Sequence, residues 1–380
     1  MAKAYQNFQV FAKPVGPLCN LDCRYCYYLE KEKLYPSEKR FRMSDNVLET
    51  YIIQQINASP ARTVRFSWHG GEPTLLGLDY FRNIVSLQRK HKHRNQRVIN
   101  GIQTNGTLID DDWGRFLADE GFAVGISIDG PQPIHDKFRV TKDQKASFEQ
   151  TMRGYRLLQK HLVPTDILCV VNAYNASFPL QVYRFFKQIN AKYINFLPMV
   201  NLEAGSDGIS NISVQADAWG SFLCTIFDEW RDEDINRIRV HIFEEVIRTA
   251  FHQEHLQCLF RPTCGDIPVV EYNGDFYSCD HFVNAKHLLG NILEMPLVNL
   301  LENPVQKKFG RAKMKTLPRY CMECEVKSMC NGECPKNRFI TAPNGEEGLN
   351  YLCEGYKHFF THCQPFVSAL AALSRRGLMK

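Results

Sequence analysis

Cysteine organises this sequence. Of its fourteen cysteines, three fall within eight residues as Cys19-x3-Cys23-x2-Cys26, and eight more stand at Cys258, Cys264, Cys279, Cys321, Cys324, Cys330, Cys334 and Cys353. Clustered thiolates ligate metal. Three in one short loop can wrap a cubane iron–sulfur cluster and leave its fourth iron without a protein ligand. An open position on a metal is where a substrate or cofactor binds. Eight further ligands complete two clusters of four cysteines each, so the pattern accounts for three 4Fe–4S clusters. The alternative for the first group is a zinc knuckle or buried thiols, although structural zinc sites use four ligands. For the later group zinc is a more serious competitor, because Cys-x2-Cys pairs suit it. Cys169, Cys224 and Cys363 fall outside the pattern and read as packed thiols.

The elements that must hold these residues alternate. Short apolar runs at Phe8–Ala12, Val64–Trp68, Val98–Gln103, Ala123–Ile128, Asp166–Val171 and Tyr193–Leu197 read as buried parallel strands. Between them, helices are expected from Ser44 onward, then at Asp79–Lys90, Asp111–Glu120, Phe148–His161 and Leu180–Ile189. Ser44 is a natural N-cap, and Val47, Leu48, Tyr51, Ile52 and Ile56 share one helical face. Six strands in βα order predict an α/β fold, a partial (β/α)6 barrel; a complete eight-stranded barrel needs about 250 residues. Cys19–Cys26 follows the first strand, Gly70-Gly71-Glu72-Pro73 the second and Gln103-Thr104-Asn105-Gly106 the third. Ser127-Ile128-Asp129-Gly130 closes the fourth, Asn172 the fifth and Pro198-Met199-Val200 the sixth. These are the loops of one C-terminal rim, where barrel active sites form.

Residues 214–250 read as helical. Beyond Cys258 periodicity fades, leaving a hairpin at Val269–Tyr272 and Phe276–Ser278 joined by Asn273-Gly274. Such a loop-rich stretch needs staples, which clusters supply. A last helix is expected at about 354–375. The domain reading is therefore 1–235 for the barrel and 236–380 for a bridging region and the cysteine-rich domain. The net charge of +5 is mild, and the run at 89–94 reads as a polar helix end, so no nucleic-acid partner is expected. The N-terminus has no apolar leader and no segment approaches the roughly 20 apolar residues of a membrane span, so the expectation is a cytoplasmic protein without a membrane partner. In a reducing cytosol, clustered cysteines point to metal rather than disulfides.

The Cys-x3-Cys-x2-Cys loop, with Tyr25 before its third cysteine, resembles the signature of radical S-adenosylmethionine (SAM) enzymes. That resemblance implies SAM on the open iron. Gly70-Gly71-Glu72-Pro73 resembles the superfamily's GGEP motif, in which Gly71 lets the backbone approach SAM. Ser127 and Arg139 match positions that contact the SAM carboxylate and ribose, and Val200, on the same rim, is grouped with them. Cys264-x9-Gly274-x4-Cys279, then Cys321-x2-Cys324-x5-Cys330-x3-Cys334 and Cys353, resembles the SPASM domain, with Cys258 as an eighth ligand.

Over nearly its whole length the sequence resembles the anaerobic sulfatase-maturating enzymes, through AKPVGPLCNLDCRYCYY, WHGGEPTLLGLDYF, IQTNGTLIDDDW, GISIDGPQPIHD, YSCDHF and CNGECPKNR. The resemblance implies oxidation of a sulfatase Cys or Ser to Cα-formylglycine by a 5′-deoxyadenosyl radical. It implies Cys258, Cys264, Cys279 and Cys334 on one auxiliary cluster, and Cys321, Cys324, Cys330 and Cys353 on the other. Asp280 matches the general base, and beside an anionic cluster in a partly dry site its pKa is expected to be raised; capping the hairpin is its alternative role. Tyr28, Gln103 and His69 match positions near the target side chain, and His281 either touches substrate or lines a polar pocket. His135 and Asp136 read as loop-stabilising. The partners implied are a sulfatase polypeptide, as an unfolded or nascent segment, and an electron donor such as flavodoxin or ferredoxin. Two other classes stay open: a SPASM-type peptide maturase that makes thioether or carbon–carbon crosslinks, and a non-enzymatic zinc-binding protein.

Overall fold

A computed structural model describes residues 2–36, 38, 40–203 and 208–375. Its strands are β1 (Phe11–Lys13), β2 (Thr63–Trp68), β3 (Arg97–Thr104), β4 (Ala123–Ser127), β5 (Thr165–Val171), β6 (Tyr193–Pro198), β7 (Arg239–Val240), β8 (Val269–Glu271), β9 (Asp275–Tyr277), β10 (Leu288–Asn291), β11 (Arg338–Thr341) and β12 (Glu347–Asn350). The chain packs as two compact units. One comprises Met1–Ser127, His135–Thr165 and Gly265–Gly310; the other comprises Ile128–Ile134, Asp166–Cys264 and Arg311–Lys380. These units follow packing, and their bounds are not those of the sequence-based division at 235/236.

In the first unit β1, β2, β3 and β4 form a parallel ladder, with Ala12 opposite Trp68, Trp68 opposite Ile102 and Thr104 opposite Ile126. Helices α1 (Asp45–Ala58), α2 (Leu78–His91) and α3 (Asp111–Asp119) alternate with these strands. Ser44 caps α1 by accepting from the Val47 N–H at 3.3 Å, and Val47, Leu48, Tyr51, Ile52 and Ile56 are buried as the spacing requires. Their core centres on Phe66 and Trp68, stacked at 5.8 Å with Tyr51 edge-on to both. Each such ring contributes on the order of 1.5–3 kcal/mol by leaving water.

On its other edge β1 pairs with β8, again in parallel, which sets Lys13 opposite Glu271. The chain then turns at Gly274 (φ +92°) into β9 and continues antiparallel into β10. The hairpin falls where the sequence placed it. β1 begins three residues later than expected because the preceding residues bond to a non-strand stretch: the Gln9 N–H donates to Asp266 O at 2.8 Å. β10 was not expected; its Leu-Leu-Gly-Asn sequence carries no alternation.

In the second unit β5, β6 and β7 run parallel, with Asp166 opposite Tyr193 and Tyr193 opposite Arg239. The helical stretch expected at 214–250 is interrupted. It comprises a helix at Ala216–Glu229, one π-helical turn at Trp230–Asp234, β7, and a helix at His241–Ala250. The first of these packs on the terminal helix Cys353–Arg375 at a point where neither backbone carries a side chain. A Cβ at Gly355 would come 2.0 Å from Ala216 O, and one at Gly220 would come 2.8 Å from Gly355 O. Beyond Cys258 there is more regular structure than periodicity revealed. The helices Arg319–Met322 and Lys327–Cys330 are only four residues each, too short to show a period. Among the described residues no helix is long and apolar enough to cross a membrane.

Candidate active site

The three-cysteine loop leaves β1 and lies along the segment 138–141. The Asp22 N–H donates to Val140 O at 2.8 Å and the Arg24 N–H to Phe138 O at 2.9 Å. This brings Arg139, itself buried, to within 5.4 Å of the Tyr25 ring. His135 and Asp136 hold this segment. Asp136 accepts from the Ser147 and Phe148 N–H groups at 2.9 and 2.8 Å, and Ser147 Oγ donates to Arg139 O at 2.7 Å. His135 Nε2 lies 3.2 Å from the same hydroxyl. Ser127, at the end of β4, accepts from Gln103 Nε2 at 3.2 Å.

The glycine-rich loop after β2 touches the cysteine loop through backbone. The Gly71 N–H donates to Gly16 O at 2.8 Å and the Glu72 N–H to Leu18 O at 2.9 Å. A Cβ on Gly71 would stand 2.1 Å from Leu18 O, so no side chain fits. Glu72 is fully buried and burial raises its pKa, against four hydrogen bonds that favour the carboxylate. These come from Thr74 N at 3.0 Å, Thr74 Oγ1 at 2.6 Å, Thr104 Oγ1 at 2.7 Å and Asn105 N at 2.6 Å. Asn105 passes this order on, donating to Asn20 Oδ1 at 2.9 Å and approaching Cys19 Sγ at 3.8 Å. The Leu21 N–H also reaches Cys19 Sγ, at 3.4 Å. Burial, then the nearby Glu72, pushes the Cys19 thiol up to about 11. A thiol so placed is stable as a thiolate only beside added positive charge. Three thiols in one loop, with amide donors on one sulfur and no disulfide, fit an iron–sulfur cluster.

A second polar group lies in the same unit around Asp280. Its Oδ1 is 2.7 Å from Lys13 Nζ, and its Oδ2 accepts from the Tyr27 hydroxyl at 2.6 Å. The Lys13 ammonium also sits over the Tyr28 ring, 4.4 Å from its centroid. The Tyr28 hydroxyl in turn donates to Glu271 Oε1. His281 stacks on Tyr27 at 5.5 Å, and His69 stacks on Phe11 at 4.0 Å. Burial, helped by the Lys13 charge, pushes the His69 pKa down to about 3, so this imidazole is neutral.

The expected upward shift of Asp280 is corrected by this arrangement. Burial does push its carboxyl up, but the Lys13 and His281 charges and the hydrogen bonds from Lys13 and Tyr27 outweigh it and hold it below the usual range. Among the chain's own groups, the Lys13 cation is the largest influence opposing burial. Lys13, Tyr27 and Glu271 were not singled out from sequence. The available signals were a lysine at the rim end of the first strand and a lone glutamate closing the apolar Val-Val-Glu of β8.

The second unit holds seven of the eight later cysteines, and Cys279 belongs to the first. Lys313 is almost wholly buried and donates to the main-chain oxygens of Cys258 and Leu259, each at 2.7 Å. Burial lowers its pKa, while the thiols of Cys264, Cys258 and Cys334 and the Glu333 carboxylate act to raise it. Arg338 donates to Gly332 O at 2.8 Å, Glu333 O at 3.1 Å, Asn331 O at 3.2 Å and also to Lys313 O. It thus ties down the turn between Cys330 and Cys334, where Asn331 and Glu333 take left-handed backbone (φ +47° and +50°). Cys321, Cys324, Cys330 and Cys353 lie within one another's fields. Burial, then Cys321 and Cys324, pushes Cys353 up to about 12, and burial, then Cys353, pushes Cys330 up further. This is again a thiol donor set that suits cationic iron. Val200 is buried just past β6, beside Met199, whose N–H donates to Val171 O at 2.7 Å.

Residues 14–185 match the radical SAM superfamily, and residues 258–325 match an iron–sulfur cluster-binding domain, SPASM. A serine-type anaerobic sulfatase-maturating enzyme of Bacteroides thetaiotaomicron is 43% identical over 372 residues, covering 94% of this chain and 90% of its own. The chain belongs to the anaerobic sulfatase-maturating enzymes. A cysteine-type member from Clostridium perfringens is 34% identical over 355 residues, covering 93% of this chain and 95% of its own. The solved structure of native anSMEcpe with bound AdoMet and Cp18Cys peptide superposes with a TM-score of 0.88. It is 32% identical and covers 97% of this chain and 99% of its own. The fold is the radical SAM α/β fold with a C-terminal SPASM domain, and its cofactors are SAM and 4Fe–4S clusters, one of them SAM-binding and two auxiliary.

Proposed function

We propose that this enzyme oxidises an active-site Cys or Ser of a sulfatase to Cα-formylglycine, presented as an unfolded or nascent segment, with electrons from a small donor such as flavodoxin or ferredoxin. The observation that carries the reading is the setting of Asp280, a largely buried carboxylate with one oxygen on Lys13 at 2.7 Å and the other on Tyr27 at 2.6 Å. Tyr27 is the residue after Cys26.

In this reading Cys19, Cys23 and Cys26 hold the SAM-binding cluster, and Tyr25, Gly71, Ser127, Arg139 and Val200 line SAM. Cys258, Cys264, Cys279 and Cys334 hold one auxiliary cluster; Cys321, Cys324, Cys330 and Cys353 hold the other. When bound, SAM and the clusters would supply the hydrogen-atom acceptor for Cβ of the target residue and an acceptor for the second electron; the thioaldehyde left by a Cys target is hydrolysed by water with release of sulfide, whereas a Ser target gives the aldehyde directly. The protein supplies place and proton handling. Arg139 has a guanidinium fork suited to a carboxylate. Gly71 keeps its surface clear of any side chain. Asp280 takes the thiol or hydroxyl proton of the target, with both of its oxygens oriented beforehand, so that little reorganisation accompanies the transfer.

The test is anaerobic incubation of the reconstituted enzyme with SAM, dithionite and peptides of the form C/S-x-P-x-R. Mass spectrometry is expected to find the aldehyde, trapped as a hydrazone, alongside 5′-deoxyadenosine. If 5′-deoxyadenosine forms while both peptides stay unmodified, the sulfatase reading is wrong and another peptide target must be sought.

A further inference from the structure

Lys13 has two carboxylates near it and one direct ion pair. Asp280 takes the ammonium at 2.7 Å. Glu271 is the register partner of Lys13 across the β1–β8 ladder, yet it spends Oε1 on the Tyr28 hydroxyl. Its side chain is fully buried, and Oε2 has no hydrogen-bond partner among the described residues. Packing does not ask for a glutamate here, because β8 is otherwise Val-Val and every position is buried. A carboxylate in that place, with half its bonding capacity unused, is costly. What it accomplishes is visible in the geometry. It fixes the hydroxyl of a phenol whose ring is the floor under the Lys13 ammonium, 4.4 Å from Nζ. A lysine has a flexible four-carbon stem, and a cation resting on a pinned ring retains less of that freedom.

We propose that Glu271 is a positioning residue for the proton acceptor. Through the Tyr28 hydroxyl it locks the ring that seats Lys13, and so fixes the cation that orients Asp280. This rests on the reading of Asp280 given above. The requirement is steeper for a serine target than for a cysteine, because a hydroxyl gives up its proton far less readily than a thiol, whose pKa is about 8.5.

The test uses holoenzyme reconstituted to equal iron content, with Ser and Cys versions of the target peptide. The quantity read is aldehyde formed per 5′-deoxyadenosine released. Glu271→Ala is expected to lower this ratio about tenfold for the Ser peptide and about threefold for the Cys peptide. Tyr28→Phe, which removes only the hydroxyl, is expected to do the same. The double variant is expected to be no worse than either single one, as residues acting in one chain are non-additive. Glu271→Gln, which keeps an oxygen acceptor, is expected to restore the ratio to within about threefold of wild type, with the peptide Kd within about threefold throughout. Losses that multiply in the double variant, equal losses for both peptides, or a Kd rise that matches the lost ratio would each overturn the proposal. If Glu271→Ala does not load iron, Tyr28→Phe against Glu271→Gln decides by the same Ser-to-Cys contrast. A wild type that makes no aldehyde, or an Asp280→Asn variant that makes as much as wild type, overturns the Asp280 reading and this inference with it. Normal dependence on Asp280 with multiplicative losses overturns the Glu271 role alone.

Discussion

Each compact unit buries one lysine at the heart of its chemistry, and the two are used in opposite ways. Lys13 spends its charge on a side chain, the carboxylate of Asp280 at 2.7 Å. Lys313 spends its hydrogens on main chain, the carbonyls of Cys258 and Leu259 at 2.7 Å each. The first arrangement sets the charge state and aim of a group that can react. The second shapes the loop that carries Cys258, and leaves a positive charge among thiols. Buried cations therefore have no single meaning in this protein; the partner atom decides whether one serves chemistry or architecture.

The strongest way to break the contrast is to change the partner. Asp280→Asn keeps the shape and removes the proposed proton acceptor, so aldehyde yield per turnover is expected to fall about 10²–10⁴-fold while SAM is still cleaved. Undiminished yield in the peptide assay would move the base elsewhere. Lys13→Met comes next. It leaves the largely buried Asp280 without its ion-pair partner, which costs about 3–5 kcal/mol; a lowered melting temperature and at least a tenfold loss of aldehyde are the expected readings. Lys313→Met is expected to behave differently. Two carbonyls lose a donor at about 1–3 kcal/mol, and iron content after reconstitution drops. Parallel iron and sulfide assays on both lysine variants test the contrast directly, since equal iron loss in the two would erase it.

Glu271 gives the comparison a pH signature. Burial lifts its pKa to about 7 in the folded protein, against about 4.3 when unfolded. Below pH 4.3 both states hold the proton and the folded state keeps its full advantage. Between these values the unfolded chain releases the proton first, so stability falls as pH rises, by about 4 kcal/mol in total. Urea unfolding from pH 4.5 to 7.5 is expected to show that slope in wild type and its loss in Glu271→Gln. The other groups facing this carboxyl are Tyr28, Lys13, Asp280 and Asp275. The smallest effect belongs to Cys363, which is buried but outside the cysteine pattern. Cys363→Ala is expected to keep full iron and activity within about twofold, with about 1 kcal/mol lost to the small cavity.

What was legible in the sequence follows from range. The Ser44 cap and the Asn273-Gly274 turn are local, and each stands where residue types placed it. The site around Asp280 is assembled from β1, the loop at 27–28 and the stretch through β8 and β9, segments some 250 residues apart, which the parallel register of β1 with β8 and the tyrosine hydrogen bonds bring together. Lys13 in the run Ala-Lys-Pro has nothing local to mark it as buried. For that reason the pull of Lys13 on Asp280 is not legible in the sequence: burial is inferable from neighbouring residues, the cation is not. The four-residue helices beside Cys321 and Cys330 escaped for another reason, since one turn of helix carries no period to read.

The pairing of β1 with β8 also has a consequence for how the molecule is made. During synthesis, β1 to β4 are available long before residue 265, yet the first unit is completed only by Gly265–Gly310. Until then β1 presents an open strand edge, a template for wrong partners. The strand that covers this edge leads through the Gly274 turn and β9 into Asp280. Closure of the edge and delivery of Asp280 to Lys13 therefore depend on the same stretch of chain, so a chain released early lacks that carboxylate as well as the strand that shields its core.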